Sequence, residues 1–405
     1  MRILIFAFAA SPNSGSEPGV AWNISLQLCE KGNQVTLLTQ TSNRSAIDSY
    51  LEKHWLPLKV IYCDTRKQIL FGNLGKLGMY LRYLWWQRDA ASQVSNDSTL
   101  EFDVAHHVTW GNFWLGTGLR FLPYPYLFGP CGYQASHRIT KMYFGPSWAT
   151  EKLRRIALIV LTHTPAFQKS VAKASLCVSA NNESYDKLLS ITGVQSSIAM
   201  ADGISTVSNF ETEILHARRN LIWIGRFLPR KGVEVLLIAF KLLLENNPHL
   251  YLTLVGDGQL KMEMQAFAKD LGISDSTQFL GRIEHQKVFD LIGSHKLLVF
   301  PSLRESSGAQ ILEAASQGVP SVFFDFIGAS TWFSENSSYI VATNNLKQSS
   351  DLPKLFALAI QNALNANFHE YEKKCRNSLE IAAENTWERK ALKIVSYYQS
   401  ILSKH

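Results

Sequence analysis

The chain has 405 residues, of which 46% are hydrophobic and 18% charged, and a net charge of +7. That is the makeup of an ordinary globular protein long enough for two domains of about 200 residues, and it excludes a disordered or fibrous chain. The five cysteines, Cys29, Cys63, Cys131, Cys177 and Cys375, are scattered without C-x-x-C spacing; this excludes a disulfide framework or a zinc site and fits reduced thiols in a cytoplasmic protein.

Arg2 followed by the apolar run Ile3 to Ala9 has the outline of a signal peptide. The run is short, though, and the loop Gly15-Ser16-Glu17-Pro18-Gly19-Val20-Ala21-Trp22 follows directly, so a retained, buried first strand is the better reading. Strand-like runs near 2–9, 34–39, 58–63, 103–109 and 125–128 alternate with helical patterns such as Val20 to Glu30, which predicts a parallel, doubly wound sheet. His106 and His107 end the fourth of these runs; adjacent strand residues point to opposite sides, so at most one reaches a substrate. Ser175 to Ala180 reads as a further strand, and the polar segment 205–219 as a linker. The nearest approach to a membrane span is Ile156 to Leu161, far short of the roughly 18 apolar residues needed.

A second sheet is predicted from 221–224, 250–255, 277–280, 297–300, 320–324 and 338–341. Its first strand runs into Gly225-Arg226-Phe227-Leu228-Pro229-Arg230-Lys231-Gly232, where Arg226 and Lys231 flank a tight loop before an amphipathic helix. An Arg and a Lys beside a helix start suit a diphosphate, the Arg by bidentate contact and the Lys as a point charge. The next strand ends in Gly256-Asp257-Gly258, whose glycines permit close backbone approach to a ligand at the strand's carboxyl end. Leu297 to Phe300 leads into Pro301-Ser302-Leu303-Arg304-Glu305-Ser306-Ser307-Gly308-Ala309-Gln310-Ile311-Leu312-Glu313, a strand, turn and helix start able to hold an anion on free N–H groups. Glu305 and Glu313 bracket that turn.

These segments together resemble the family 4 glycosyltransferases: G-R-x-x-x-x-K-G, then V-G-D-G, then P-S-x-x-E-x-x-G-x-x-x-x-E-A with G-x-P after it. The Gly15 loop, Ala105 to Thr109 and Phe128-Gly129-Pro130-Cys131-Gly132 are similar to a bacterial G-S-E-P-G-V-x-W branch. Departures are Ser307 in place of an aromatic, Ala309 and Gln310 after the central glycine, and Cys131 or Tyr133 where a second glycine is frequent. The resemblance implies a GT-B fold, two Rossmann-like domains facing a central cleft. The expected bounds are 1–204 for the acceptor side, 205–219 for the linker, 220–385 for the donor domain and 386–405 for a terminal helix returning to the first domain. It implies transfer of a sugar from a nucleotide diphosphate donor to an acceptor hydroxyl, with retention and without a metal or other cofactor; no D-x-D is present. Arg226, Lys231 and the Gly308-Ala309 backbone would meet the leaving diphosphate. Glu305 would take the donor sugar's hydroxyls and Glu313 the ribose, while Arg282-Ile283 would meet the base edge through its backbone. Gly15, Gly225, Gly256, Asp257, Gly258 and Ser307 would complete the donor site. The family's habit of placing a functional histidine near this strand end singles out His107 over His106 as catalytic.

The positive charge is uneven: residues 1–200 hold 19 Lys/Arg against 12 Asp/Glu, while 201–405 hold 21 of each. One basic stretch runs from Arg66-Lys67 through Lys76, Arg82 and Arg88 with Phe71, Tyr80, Tyr83, Trp85 and Trp86; another from His137-Arg138 through Lys141, Lys152, Arg154 and Arg155 with Tyr143, Phe144 and Trp148. Such faces suit peripheral docking on an anionic inner membrane surface and hence a lipid-linked or saccharide acceptor; a solvated helix face over a buried aromatic stripe is the competing reading. Neither stretch has an RNA-binding signature, so nucleic acid is not expected. Two rival functions are a sugar-nucleotide epimerase of the same fold and a catalytically silent assembly partner. A dinucleotide oxidoreductase is disfavoured because the first strand lacks G-x-G-x-x-G after it.

Overall fold

The computed structural model describes residues 1–12, 14–65, 75–346 and 348–404. Two compact units form: Met1–Tyr133 with Ile156–Gly203 and Trp387–His405, and Gln134–Arg155 with Ile204–Thr386. In the first, β1 (Arg2–Ala7), β2 (Gln34–Thr39), β3 (Leu58–Tyr62), β4 (Val104–Thr109), β5 (Tyr126–Cys131), β6 (Leu176–Ser179) and β7 (Ser197–Ile198) make a sheet in the order β3-β2-β1-β4-β5-β6-β7. All of these pairs are parallel. The strands are apolar on both faces because helices cover both. Leu4 and Phe6 turn to a core with Tyr83, Trp86 and Phe128. Ile3, Ile5 and Ala7 turn the other way, to Val20, Trp22 and Leu28 and to Trp387, Ala391 and Tyr398 of the last helix, Trp387–Leu402.

In the second unit, β8 (Leu221–Ile224), β9 (Leu252–Val255), β10 (Thr277–Gly281), β11 (Leu297–Phe300), β12 (Ser321–Phe324) and β13 (Tyr339–Val341) form a sheet in the order β10-β9-β8-β11-β12-β13. The helices Val233–Leu244 and Leu352–Asn365 pack Leu236, Leu237, Phe240, Phe356 and Ile360 into its core. In each sheet the strand order reverses once, between β1 and β4 and between β8 and β11. At such a switch point the loops beyond the strands' carboxyl ends part and leave room for a ligand.

Three expectations differ from this structure. Residues 134–155 belong to the second unit and not to a 1–204 domain, because Tyr143, Phe144 and Trp148 are buried in its core. Residues 205–219 are no free tether: they contain the helix Thr212–Ala217, with Leu215 buried, and Arg218 donates to the carbonyls of Gly293, Gln317 and Gly318 at 2.7–2.8 Å. The aromatics expected at a membrane surface are largely internal, since Tyr83, Trp86, Tyr143, Phe144 and Trp148 are all buried. Arg66, Lys67 and Phe71 lie outside the described residues. All five cysteines are buried. Among the described residues no helix is long and apolar enough to cross a membrane.

Candidate functional site

The loops after β8, β9 and β11 are pressed together at the second switch point. Phe227 N–H donates to Asp257 O at 3.0 Å and Leu260 N–H to Phe227 O at 3.2 Å, joining the first loop to the second; Leu303 N–H donates to Arg230 O at 2.8 Å, joining it to the third. Two glycines are required by this closeness. A Cβ on Gly232 (φ 64°) would come within 2.1 Å of Pro301 O, and one on Gly256 (φ 131°) within 1.8 Å of Gly225 O. What crowds Gly256 is the Gly225 loop itself.

This closure brings Glu305 onto two cations. Lys231 Nζ donates to Glu305 Oε2 at 2.5 Å and Arg230 Nη1 to the same oxygen at 3.0 Å. Burial alone would raise the Glu305 carboxyl, but Lys231 and Arg230 outweigh it and hold it at about 2. Burial lowers the Lys231 ammonium while Glu305 opposes that, and the nearby charges of Arg230 and Arg226 depress it further. Arg226 itself is exposed. Two cations, Lys231 and Arg230, therefore share one carboxylate, and the charge of Arg226 is felt at Lys231. Arg230 was not singled out in the sequence, although its signal was there, a third cation within the six residues from Arg226 to Lys231.

A second ion cluster backs the first. Arg304 reaches Glu151 through Nε at 3.1 Å and Nη2 at 3.2 Å, and Glu151 also accepts from Ser136 at 2.5 Å and Arg154 at 3.1 Å. Burial disfavours the Glu151 charge, yet Ser136, Arg304 and Arg154 keep its carboxyl below the usual range. Gln134 Nε2 donates to Phe326 O at 2.5 Å in the same region. The local pattern shows only the Glu151–Arg154 pair on one helix; the partner that ties Glu151 to the Glu305 loop, Arg304, is 153 positions away.

Gly308 (φ 85°) precedes the helix Ala309–Ser316, with Ser307 half-buried before it. The helix's first N–H groups have no partner within it and suit an anion. Glu313 lies on this helix and accepts from His285 Nε2 at 3.2 Å, a contact that raises the His285 pKa against the effect of burial. His285, too, went unnoticed in the sequence. Arg282 is exposed and Ile283 half-buried in the turn between β10 and the helix His285–Gly293, below which Gly256 N–H donates to Gly281 O at 2.8 Å.

At the first unit's switch point, Gly15 is exposed at the start of the helix Ser16–Glu30 with φ −79°, a conformation that needs no glycine. The crowded residue is Gly19, where a Cβ would meet Ser14 O at 1.9 Å. Glu17 accepts from Gly111 N–H at 2.8 Å, tying this loop to the one after β4. The two histidines do point to opposite faces, but both are fully enclosed. His106 Nδ1 meets Tyr398 Oη at 2.6 Å, and its Nε2 meets Gly129 O at 2.6 Å. His107 Nε2 lies 3.1 Å from Trp110 O and 3.3 Å from Tyr83 Oη. Burial holds both rings down at about 4, so both are neutral at pH 7. Enclosure by the aromatic core is at odds with His107 as a group that touches substrate.

Two doubly wound parallel units in one chain, each with loops gathered at its switch point, define the GT-B fold. Residues 207–377 match the family model described as Glycosyl transferases group 1. The chain is 31% identical to the uncharacterized glycosyltransferase YqgM of Bacillus subtilis over 131 residues, 32% of this chain and 36% of that one. It is 23% identical over 314 residues to one of the polypeptides of the human phosphatidylinositol N-acetylglucosaminyltransferase, covering 76% of this chain and 58% of that one. The chain therefore spans between about a third and three fifths of these relatives' lengths. In three dimensions it is similar to Anabaena Alr3699/HepE in complex with UDP-glucose, with a TM-score of 0.63 and 16% identity over 98% of this chain and 100% of the other.

Proposed function

We propose that this protein is a glycosyltransferase, and in particular a family 4 member, that moves a sugar from a nucleotide diphosphate donor to an acceptor hydroxyl with retention, in the synthesis of a glycolipid or cell-surface polysaccharide. The observation that carries this reading is the meeting of Lys231 and Arg230 on Glu305, three residues before Gly308 at the helix start, with the charge of Arg226 felt at Lys231. As the bond from the anomeric carbon to the diphosphate breaks, its electron pair passes to the leaving phosphate. Preplaced cations and free N–H groups stabilise that charge most, since they need no reorganisation at the moment of reaction. Glu305 neutralises part of this charge in the free protein. An arriving diphosphate would share Lys231 and Arg230 with it and leave the carboxylate to accept from sugar hydroxyls.

Glu313 is the acceptor for the ribose, and the backbone at Arg282 and Ile283 the contact for the base. The relative that acts on phosphatidylinositol favours a lipid-linked acceptor. With protein cations meeting the leaving group, chelation by EDTA is expected to leave turnover unchanged. The test is a panel of nucleotide sugars followed by thermal shift and by product formation. A ligand that binds only the folded state raises the melting temperature by mass action. Binding without transfer or hydrolysis would identify a silent partner, and no shift with any nucleotide diphosphate would refute the donor site.

A further inference from the structure

Glu305 lies in the loop 301–308, between β11 and the helix Ala309–Ser316, and two separate sets of contacts hold that loop. Lys231 and Arg230 take the Glu305 carboxylate, and Arg230 Nη1 also donates to Arg304 O at 3.3 Å. The Arg304 side chain makes the second set by reaching Glu151, with Nε 3.1 Å from Oε2 and Nη2 donating to Oε1 at 3.2 Å. One planar fork thus meets both carboxylate oxygens, a geometry that fixes direction as well as distance. Glu151 is fixed in turn. Ser136 Oγ donates to its Oε2 at 2.5 Å, and Arg154, about one turn along the helix Ser147–Thr162, reaches the same oxygen at 3.1 Å. Arg154 Nη2 also donates to Gln134 O at 3.0 Å, Gln134 Nε2 to Phe326 O at 2.5 Å, and Gly328 N–H to Glu305 O at 2.8 Å. The bonds therefore close a ring: it leaves the Glu305 loop at Arg304, crosses residues 134–154 and returns to Glu305 through the loop after β12. At the same crossing the His137 ring lies over Phe326, with centroids 5.3 Å apart and planes 11° from parallel.

We infer that Glu151 is a positioning residue for the candidate site: through Arg304 it fixes the loop that carries Glu305. The inference rests on the reading of Glu305 as the group that meets the donor sugar. An arriving diphosphate shares Lys231 and Arg230 with Glu305, so the first set of contacts weakens once the donor is bound. Losing part of Arg230 loosens Arg304 as well as Glu305, because that guanidinium holds both. The fork between Arg304 and Glu151 uses neither Lys231 nor Arg230 and gives up nothing to the diphosphate. It is the anchor that remains while the sugar is held for transfer, when a misplacement of about 1 Å can cost about 100-fold in rate. Apolar residues of similar volume often fill such a place with no loss of stability. What they lack is the fork's fixed direction, which a loop carrying a reacting group requires.

The test is amide hydrogen exchange of the full chain, wild type against Glu151→Gln, with transfer kinetics beside it. Exchange at 303–308 and 326–328 should quicken about tenfold or more in the variant, while the amides of β8, β9 and β11 exchange as before. Arg304→Lys keeps the charge but loses the fork, and should fall between the two. With the nucleotide sugar that the panel above identifies, Glu151→Gln should lower kcat about 30- to 100-fold and change the donor KM less than about threefold, because the cations that bind the diphosphate are untouched. A merely structural role would instead quicken exchange throughout the second unit and weaken donor binding together with turnover, and either result would overturn the inference. Unchanged exchange at 303–308, or undiminished kcat, would do the same. Should Glu151→Gln not fold, Ser136→Ala takes one donor from Glu151 and no charge, and the same comparison should show a smaller change in the same direction. If the wild type neither binds nor turns over any nucleotide sugar, the reading of the site fails, while exchange still decides whether Glu151 holds the loop.

Discussion

Replacing Glu305 by Gln keeps its shape and removes the charge that Lys231 and Arg230 share. The carboxyl is held at about 2 against an ordinary 4.5, a difference worth about 3 kcal/mol of stability at neutral pH. Because the folded value is the lower one, this contribution is fully present above pH 4.5 and is lost as the pH falls toward 2. A second route to the magnitude starts from Lys231, which is only 5% exposed. Removing one side of a buried pair strands the other charge and costs about 3–5 kcal/mol. For a unit of this size a loss of that order lowers the melting temperature by roughly 10 °C. Glu305→Gln with Lys231→Met removes both buried charges and should recover at least half of the loss, since the two sites are coupled and not additive. Thermal and urea unfolding at pH 7 and pH 3 measure this, and the gap between wild type and Glu305→Gln should narrow at the lower pH. A single variant costing less than about 1 kcal/mol, or a double variant less stable than the single one, would show that the pair does not act as described.

Arg230→Ala, Lys231→Ala and Arg226→Ala should each cut turnover at saturating donor by roughly 30- to 1000-fold, the loss of about 2–4 kcal/mol of stabilisation of the leaving diphosphate; near-normal turnover would remove that residue from the site. Glu313→Ala should weaken binding of the bare nucleotide in calorimetric titration. His285, whose raised pKa reflects its bond to Glu313, holds that carboxylate when protonated. Nucleotide affinity should therefore rise as the pH passes upward through the His285 titration, and His285→Ala should flatten that rise. His106 and His107, held at about 4 by burial, bind protons more readily unfolded than folded. Stability should fall as the pH drops from 6.5 to 4, and His107→Phe should reduce that slope in melts across the range. The Phe is tolerable because His107 Nδ1 is buried without a partner among the described residues and the ring already packs on Phe6 and Phe128.

Much of the framework was legible in one dimension. Short apolar runs bounded by glycine and polar loops marked every strand but β7, because a parallel strand covered on two faces must be apolar along its length. The loops Gly225 to Gly232, Gly256 to Gly258 and Pro301 to Glu313 were legible for a related reason: each follows its strand directly, so strand order alone carries them to one edge. That Gly232 and Gly256 stand where no side chain fits, against Pro301 O and Gly225 O, came only from the structure.

Which groups meet across long separations was decided only by the tertiary structure. Glu305 and Lys231 lie 74 positions apart and Arg304 and Glu151 lie 153 apart, and no local pattern predicts a pair that exists because two loops are pressed together. The same applies to direction. The basic-aromatic stretch 137–155 read either as a membrane-docking face or as a solvated face over buried aromatics; its aromatics close the core of the second unit while Leu153 and, just beyond the stretch, Ile156 face water. Periodicity shows that a helix has an apolar side; it does not say which partner covers that side or whether any does. His107 has the same origin: its position at a strand end was visible, whereas its enclosure depends on Phe6, Tyr83 and Phe128 arriving from three other elements.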